Sequence, residues 1–143
     1  MKVFDEELRK RVKMKKYKIA AIIMIIHGGL FELCGCLALI PILAFGFDTA
    51  NVGKYISFIV PYLQANLYLM MIMGGIFGVV RLIGAYGILK NRMWGLALSV
   101  INCVITMALM IFMLPAGIMD GILACTALII ILVQYFGDKK IVE

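Results

Sequence analysis

The sequence predicts an all-α membrane protein with four transmembrane helices in an antiparallel bundle, preceded by an N-terminal amphipathic helix at the membrane interface. Three observations predict this class. Of the 143 residues, 64% are hydrophobic and only 15% are charged, with a mean hydropathy of +1.07, whereas about 25% of a typical soluble domain is charged. Four apolar runs are long enough to cross a hydrocarbon core of roughly 30 Å, which takes about 20 helical residues. Lys and Arg gather on one side of the topology that these runs define.

The first 17 residues are basic and amphipathic. The adjacent Val3 and Phe4, then Leu8, then Val12 recur at about one helical turn with charged residues between them, a pattern typical of a helix that lies on a membrane surface. We therefore divide the chain into a cytoplasmic amphipathic segment, 1–17, and one transmembrane domain, 18–143. The basic residues of the segment predict contact with anionic lipid headgroups; they are Lys10, Arg11, Lys13, Lys15 and Lys16.

The transmembrane domain begins with an apolar run that is longer than the core of a signal peptide, so we interpret it as a membrane span. A basic turn containing Lys90 and Arg92 separates the second and third spans, and Pro115 marks a very short turn before the fourth. The predicted spans are about 18–45, 67–89, 93–114 and 117–136.

The distribution of basic residues predicts the orientation. The chain contains 14 Lys and Arg residues; Arg81 lies within a span and Lys54 lies in the outer loop, so the other twelve belong to the predicted inner segments. This asymmetry predicts a multi-pass protein of the cell membrane with its N- and C-termini in the cytoplasm. Orientation also accounts for the net charge of +6, so we predict no nucleic-acid partner.

Polar side chains within the spans are the candidate functional residues, because lipid does not solvate charge. At 1.5 Å per residue, His27 and Arg81 lie roughly 10 to 14 Å from the inner boundary, Asn102 roughly 13 Å and Glu32 roughly 20 Å. These four residues can share one layer, so we predict an intramembrane polar cluster.

Two interpretations of this cluster stay open. In the first, Glu32 and Arg81 form a buried ion pair, assisted by His27 or Asn102, that fixes the register of the helices. In the second, Glu32 exchanges a proton for a substrate or an ion. The order of the helices around the bundle decides whether Glu32 and Arg81 meet. Two further polar residues, Asp120 and Gln134, are interpreted as lying near the membrane surfaces.

Glycine residues predict where helices pack closely, because a missing side chain lets two backbones approach. In the first span they lie one turn before and one turn after Glu32 on the same face. In the second span a G-x-x-x-G pair is followed by two further glycines. The predicted packing positions are Gly28, Gly35, Gly74, Gly78, Gly84 and Gly87.

The sequence contains no motif that predicts catalysis, a cofactor or a metal site. His27 is the only histidine, and a metal site needs three or four ligands. Cys34 and Cys36 are two residues apart, which turns their side chains about 200° apart on a helix, so they are interpreted as small packing residues. The glycines have helical packing spacing rather than the strand-turn-helix context of a phosphate loop.

Residues 84–100, GAYGILKNRMWGLALSV, resemble the hairpin of small four-span prokaryotic membrane proteins of unknown function. In that family a helix ends in a glycine-containing motif, a basic turn follows, and a Trp-Gly motif begins the next helix. The matching residues are Gly84, Gly87, Lys90, Arg92, Trp94 and Gly95. The resemblance implies the fold and no activity. A weaker resemblance, through Gly28, Gly29 and Glu32, is to the small multidrug exporters, although the spacing is shorter and their later aromatic and glycine motif is missing.

Taken together, these patterns favour a non-enzymatic integral membrane protein that acts as an interaction, lipid-contacting or accessory subunit and self-associates through glycine-rich faces. The alternative hypothesis is a small dimeric transporter in which Glu32 couples a substrate to protons; a dimer is needed because four helices enclose little volume. The sequence does not specify a substrate, an oligomeric state or a physiological partner.

Overall fold

The computed structural model describes residues 16–46 and 56–137. The expected interfacial helix, and four of the five lysine and arginine residues expected to bind lipid headgroups, lie outside these ranges. Within them the regular elements are helices: α1 (Lys16–Phe45), α2 (Pro61–Ala65), α3 (Leu67–Leu89), α4 (Met93–Phe112) and α5 (Ile118–Gly137).

Four of these helices, α1, α3, α4 and α5, are long and apolar enough to cross a membrane. The prediction of an all-α four-helix membrane bundle is therefore confirmed for the described residues. Helix α3 packs against both α1 and α4, and α4 packs against α5. Tyr17 and Met24 of α1 belong to one buried apolar cluster with Ala127 and Ile131 of α5, so the first and last helices also share the core.

Short connections make α3, α4 and α5 antiparallel. The turn from α3 to α4 contains Asn91 in the left-handed region at φ 57°, where Asn is tolerated better than most residues. We call this end of the bundle the hairpin end, and the opposite end, which carries the turn from α4 to α5, the Pro115 end. At the Pro115 end the Ile59 amide donates to the Leu114 carbonyl at 2.6 Å, which fastens the segment before α2 to the bundle.

Glycines let α1 and α3 touch backbone to backbone. A Cβ atom at Gly78 would lie 2.8 Å from the Gly28 carbonyl oxygen, which is closer than such contacts allow. Between α3 and α4, a Cβ at Gly84 would lie 2.7 Å from the Ser99 Oγ atom, and one at Gly87 would collide with Gly95. A side chain at Gly78 or Gly87 would therefore meet the backbone of the facing helix, and one at Gly84 would require the Ser99 hydroxyl to move.

Two of the expected packing glycines behave differently. A Cβ built at Gly35 or at Gly74 meets nothing within 4 Å. The expectation that these two glycines form close helix contacts is therefore wrong. The reason is that Gly74 faces open space, whereas its neighbour Gly75 makes the close contact with α1, since a Cβ there would lie 2.5 Å from the Cys36 Sγ atom.

The middle of α1 is not an α-helix. Residues Ile26–Leu33 form a π-helical segment, in which the Cys34 amide donates to the carbonyl of Gly29 five residues earlier. Bonds that run over five residues widen the helix and change which side chains share a face. The sequence predicts α-helical spacing here, and the geometry of the polar site depends on the π-helical spacing found instead.

Candidate functional site

Arg81 lies at the centre of the candidate site and joins three helices. Its side chain is 1% exposed. The Nη1 atom lies 2.6 Å from Glu32 Oε1 of α1. The Nε atom donates to Asn102 Oδ1 at 2.9 Å, and Nη2 donates to Thr106 Oγ1 at 2.6 Å, both on α4. All three guanidinium nitrogens of Arg81 are therefore engaged, each by a different side chain.

Thr106 belongs to this site, although the sequence analysis did not select it. Its hydroxyl accepts from Arg81 and donates to the Asn102 carbonyl, one turn earlier on α4, at 2.9 Å. A threonine that bonds to its own helix hides its polar atoms and is inconspicuous in an apolar span. The signal that could have found it is spacing, because Asn102 and Thr106 are four residues apart and so share one face of the helix.

Asp120 brings the fourth helix into the cluster. His27 Nε2 lies 3.0 Å from Asp120 Oδ1, a hydrogen-bond distance that joins α1 to the first turn of α5. The His27 side chain is 1% exposed and that of Asp120 is 32% exposed. Asp120 thus lies in the first turn of α5, at one end of that span, and its carboxylate also has a side-chain partner inside the bundle.

The π-helical segment places His27 and Glu32 on the same side of α1. Residues five apart are about 140° apart on an α-helix. In a π-helix a backbone hydrogen bond joins residues five apart directly. His27 Nε2 lies 3.9 Å from Glu32 Oε1. The distortion of α1 therefore connects the Arg81 part of the cluster with the Asp120 part.

The charges of the cluster do not balance when His27 is neutral. With both carboxylates ionised, Glu32 and Asp120 contribute two negative charges against the one positive charge of Arg81. The contact between Arg81 and Glu32 is an ion pair by distance, without the alignment of a hydrogen bond. The second oxygen, Glu32 Oε2, is buried and has no hydrogen-bond partner in the described part of the chain.

Two cavities adjoin the carboxylates. One, of about 210 Å³, lies between α3 and α4, and another, of about 300 Å³, lies between α1, α3 and the segment before α2. Arg81 and His27 line neither cavity. Both cavities share five lining residues, namely Glu32, Met70, Gly74, Met113 and Asp120.

Gln134 lies near the end of α5, which finishes at Gly137. Its side chain is 2% exposed, and its Nε2 atom has no hydrogen-bond partner in the described ranges, because it lies on the face of α5 that also carries the buried Ile131 and Ala127. Ser99 Oγ on α4 is likewise buried and unpartnered among the described residues. These two groups are separate from the cluster around Arg81.

No group of three or more His, Cys, Asp or Glu residues in the described ranges is arranged to hold a metal ion. The four cysteines are free thiols. No protein-family model matches the sequence, and no curated protein or solved structure matches it either. The two resemblances drawn from the sequence therefore stay predictions, and function has to be argued from the geometry.

Proposed function

We propose that this chain is a non-enzymatic integral membrane protein that acts as an interaction, lipid-contacting or accessory subunit. In this proposal the polar cluster is a structural device that holds the four helices in one register. The observation that supports it best is the burial of Arg81 between Glu32, Asn102 and Thr106. With His27 and Asp120, the cluster spans all four long helices.

Directional contacts suit such a role. Apolar helix faces slide past one another at little cost, whereas sliding that separates a buried charge pair is costly. Buried ion pairs contribute little net stability compared with apolar packing, but removing one partner costs about 3–5 kcal/mol because the other charge is left buried. Any rotation of α1 or α3 that separates Glu32 from Arg81 carries a penalty of this kind. The arrangement therefore favours one helix packing over its alternatives.

The outer surface of the bundle agrees with an embedded, non-catalytic subunit. Large apolar side chains are exposed along the helices, including Leu43 at 75%, Ile76 at 60% and Ile122 at 54%, and these suit lipid chains or a partner helix. The hydrogen bonding of Thr106 also suits a non-catalytic role. Its hydroxyl donates to a backbone carbonyl rather than to a base that could activate it as a nucleophile.

The proposal keeps the orientation that the basic residues predict, with both termini in the cytoplasm and the N-terminal basic segment on anionic lipid. It changes the expected mode of self-association. Gly28, Gly78, Gly84 and Gly87 are used within one chain, so a second copy would have to bind through another face.

The register role is tested with Glu32→Gln, Arg81→Gln and the double variant in lipid nanodiscs. Each single change leaves a buried charge without its partner, so each should lower the midpoint of thermal unfolding, and the double variant should recover most of the loss. The matched control is Arg92→Gln, an exposed position in the turn before α4. Strictly additive losses in the double variant would contradict a register pair.

A second candidate function, a small dimeric proton-coupled transporter, is favoured by one observation. Glu32 Oε2 lacks a hydrogen-bond partner within the described residues and Glu32 lines both cavities. Cross-linking should then capture a dimer, and proteoliposomes should move protons with a substrate in a way that Glu32→Gln abolishes. A monomer that moves nothing would exclude this candidate.

A further inference from the structure

His27 is enclosed between the two carboxylates of the polar cluster. Its side chain is 1% exposed, and its Nε2 atom lies 3.0 Å from Asp120 Oδ1 and 3.9 Å from Glu32 Oε1. Because an ionised carboxylate only accepts hydrogen bonds, the contact with an ionised Asp120 requires a proton on Nε2. The Nδ1 atom is then the place where the ring takes up a second proton and becomes an imidazolium ion.

Protonation of His27 gives the cluster an alternating order of charges. Three contacts join four side chains in series, from Asp120 to His27, from His27 to Glu32 and from Glu32 to Arg81. With an imidazolium ion and ionised carboxylates, each contact lies between opposite charges and the series is neutral. With a neutral ring one carboxylate lacks a counter-ion, which is unfavourable in a low-dielectric surrounding.

The helices packed around His27 offer few other groups that could supply the missing charge. They contribute Glu32 from α1, Arg81 from α3 and Asp120 from α5. Helix α4 contains no Lys, Arg, Asp or Glu, and its titratable group is the Cys103 thiol. Because Arg81 is already paired with Glu32, the His27 ring is the group within the described residues that can supply a further positive charge.

The position of Asp120 connects this site with the Pro115 end. Its side chain is 32% exposed and lines both cavities, so a proton can reach the carboxylate that contacts the ring. Histidine is the side chain whose charge ordinarily changes between about pH 5 and 8. Because His27 belongs to α1 and Asp120 to α5, a change in their contact acts on the packing of the first helix against the last.

We propose that His27 is a proton-binding site that strengthens the contact between α1 and α5 when the medium at the Pro115 end becomes acidic. As an imidazolium ion the ring attracts both Asp120 and Glu32, and this stabilisation is lost when the ring becomes neutral as the pH rises. The proposal goes beyond the register role, which rests on Arg81 and Glu32 and requires no response to pH. Either can fail while the other stands, because one concerns a double variant and the other concerns the titration of a ring.

A direct test is possible because His27 is the only histidine of the sequence. The full chain is produced with isotopically labelled histidine and embedded in liposomes, and its imidazole nitrogen signals are followed by solid-state NMR between about pH 5 and 8. We expect a neutral ring protonated on Nε2 to become an imidazolium ion as the pH falls. A ring that stays neutral, or a proton that appears instead as a carboxylic acid band in the infrared spectrum, would overturn the proposal.

One variant separates the charge of Asp120 from its hydrogen bond. Asp120→Asn keeps an oxygen that accepts from Nε2 but removes the negative charge, so the imidazolium ion should form only at lower pH than in the parent. Met119→Leu, an exposed neighbour in the same turn, should titrate as the parent does. Identical titration of Asp120→Asn and the parent would show that Asp120 does not hold the proton on the ring.

Thermal unfolding in nanodiscs tests the effect on the bundle. The unfolding midpoint of the parent should rise as the pH falls through the titration of His27. His27→Gln keeps an amide donor near the position of Nε2 and does not titrate, so its midpoint should lack this rise. A parent whose midpoint is independent of pH over the range in which the ring titrates, or a His27→Gln variant with the same pH dependence as the parent, would contradict a proton-dependent contact.

Discussion

The Arg81 guanidinium of α3 and the Glu32 carboxylate of α1 lie 2.6 Å apart inside the bundle. Their positions along the two helices differ, since Arg81 is eight residues from the end of α3 whereas Glu32 is sixteen residues from the start of α1. The contact forms because each side chain extends along its helix toward the other. The pair therefore determines how far α1 is displaced along α3.

Arg81→Lys should destabilise the protein even though it keeps the charge. A lysine ammonium replaces the planar guanidinium that reaches three side chains at once, so Asn102 Oδ1 or Thr106 Oγ1 loses its donor. Leaving one buried acceptor unsatisfied costs about 1–3 kcal/mol. Unfolding by a denaturing detergent in mixed micelles measures this loss, and Arg92→Lys in the exposed turn should show none. A stability equal to that of the parent would mean that charge alone matters at Arg81.

Gly74→Ala and Gly78→Ala should change stability in opposite directions. At Gly78 a Cβ would lie 2.8 Å from the Gly28 carbonyl oxygen, so the helices must separate at a cost of about 1–3 kcal/mol. At Gly74 nothing lies within 4 Å, and replacing a mid-helix glycine by alanine gains about 0.5–1 kcal/mol. The same unfolding measurement compares the two variants. Equal effects would show that α1 and α3 do not touch at Gly78.

Gln134→Met should leave the protein as stable as the parent or make it more stable by about 1 kcal/mol. The Nε2 atom of Gln134 is buried without a partner among the described residues, and replacing such a group by an apolar one of similar shape is neutral or favourable. Asn102→Leu provides the contrast, because its Oδ1 atom accepts from Arg81 and its loss should be destabilising. A marked loss for Gln134→Met would reveal a partner for the amide in the membrane.

His27→Phe should cost less than Arg81→Met. Removing the imidazole leaves Asp120 without its partner, but this carboxylate is 32% exposed and regains solvent or headgroup contacts, so the loss should be about 1 kcal/mol. Arg81→Met leaves Glu32 buried and unpaired, at about 3–5 kcal/mol. Detergent-induced unfolding of both variants in the same micelles gives the ranking, and the reverse order would place the anchor of the cluster at His27.

Much of the architecture could be predicted because lipid imposes simple requirements. A span must be apolar and about 20 residues long, and α3 occupies the predicted residues 67–89. The four polar residues within the spans could be selected for the same reason, since charge in lipid is costly wherever the helices lie. The ion pair of Glu32 and Arg81 was one of two interpretations of the sequence, because the choice depends on which helices are neighbours, and the structure contains it at 2.6 Å.

The errors have local physical causes. The contact of Asp120 with His27 was missed because His27 comes from the other end of the sequence and from a segment whose π-helical geometry no residue pattern revealed. Gly74 was assigned to close packing because glycine spacing shows where helices are able to approach. The contact is made by the adjacent Gly75 instead, which packs against Cys36 of α1.

The length of α1 has a mechanical consequence. With 30 residues it extends about 45 Å, whereas the hydrocarbon core is roughly 30 Å thick and α4 and α5 have 20 residues each. A helix longer than the bilayer must tilt or deform the lipid around it. Leu39 is the last buried residue of α1, and the turns that follow it, which include Leu43 and Phe45, are exposed. The thickness of the surrounding bilayer therefore bears first on these exposed turns, which lie beyond the part of α1 that packs against the bundle.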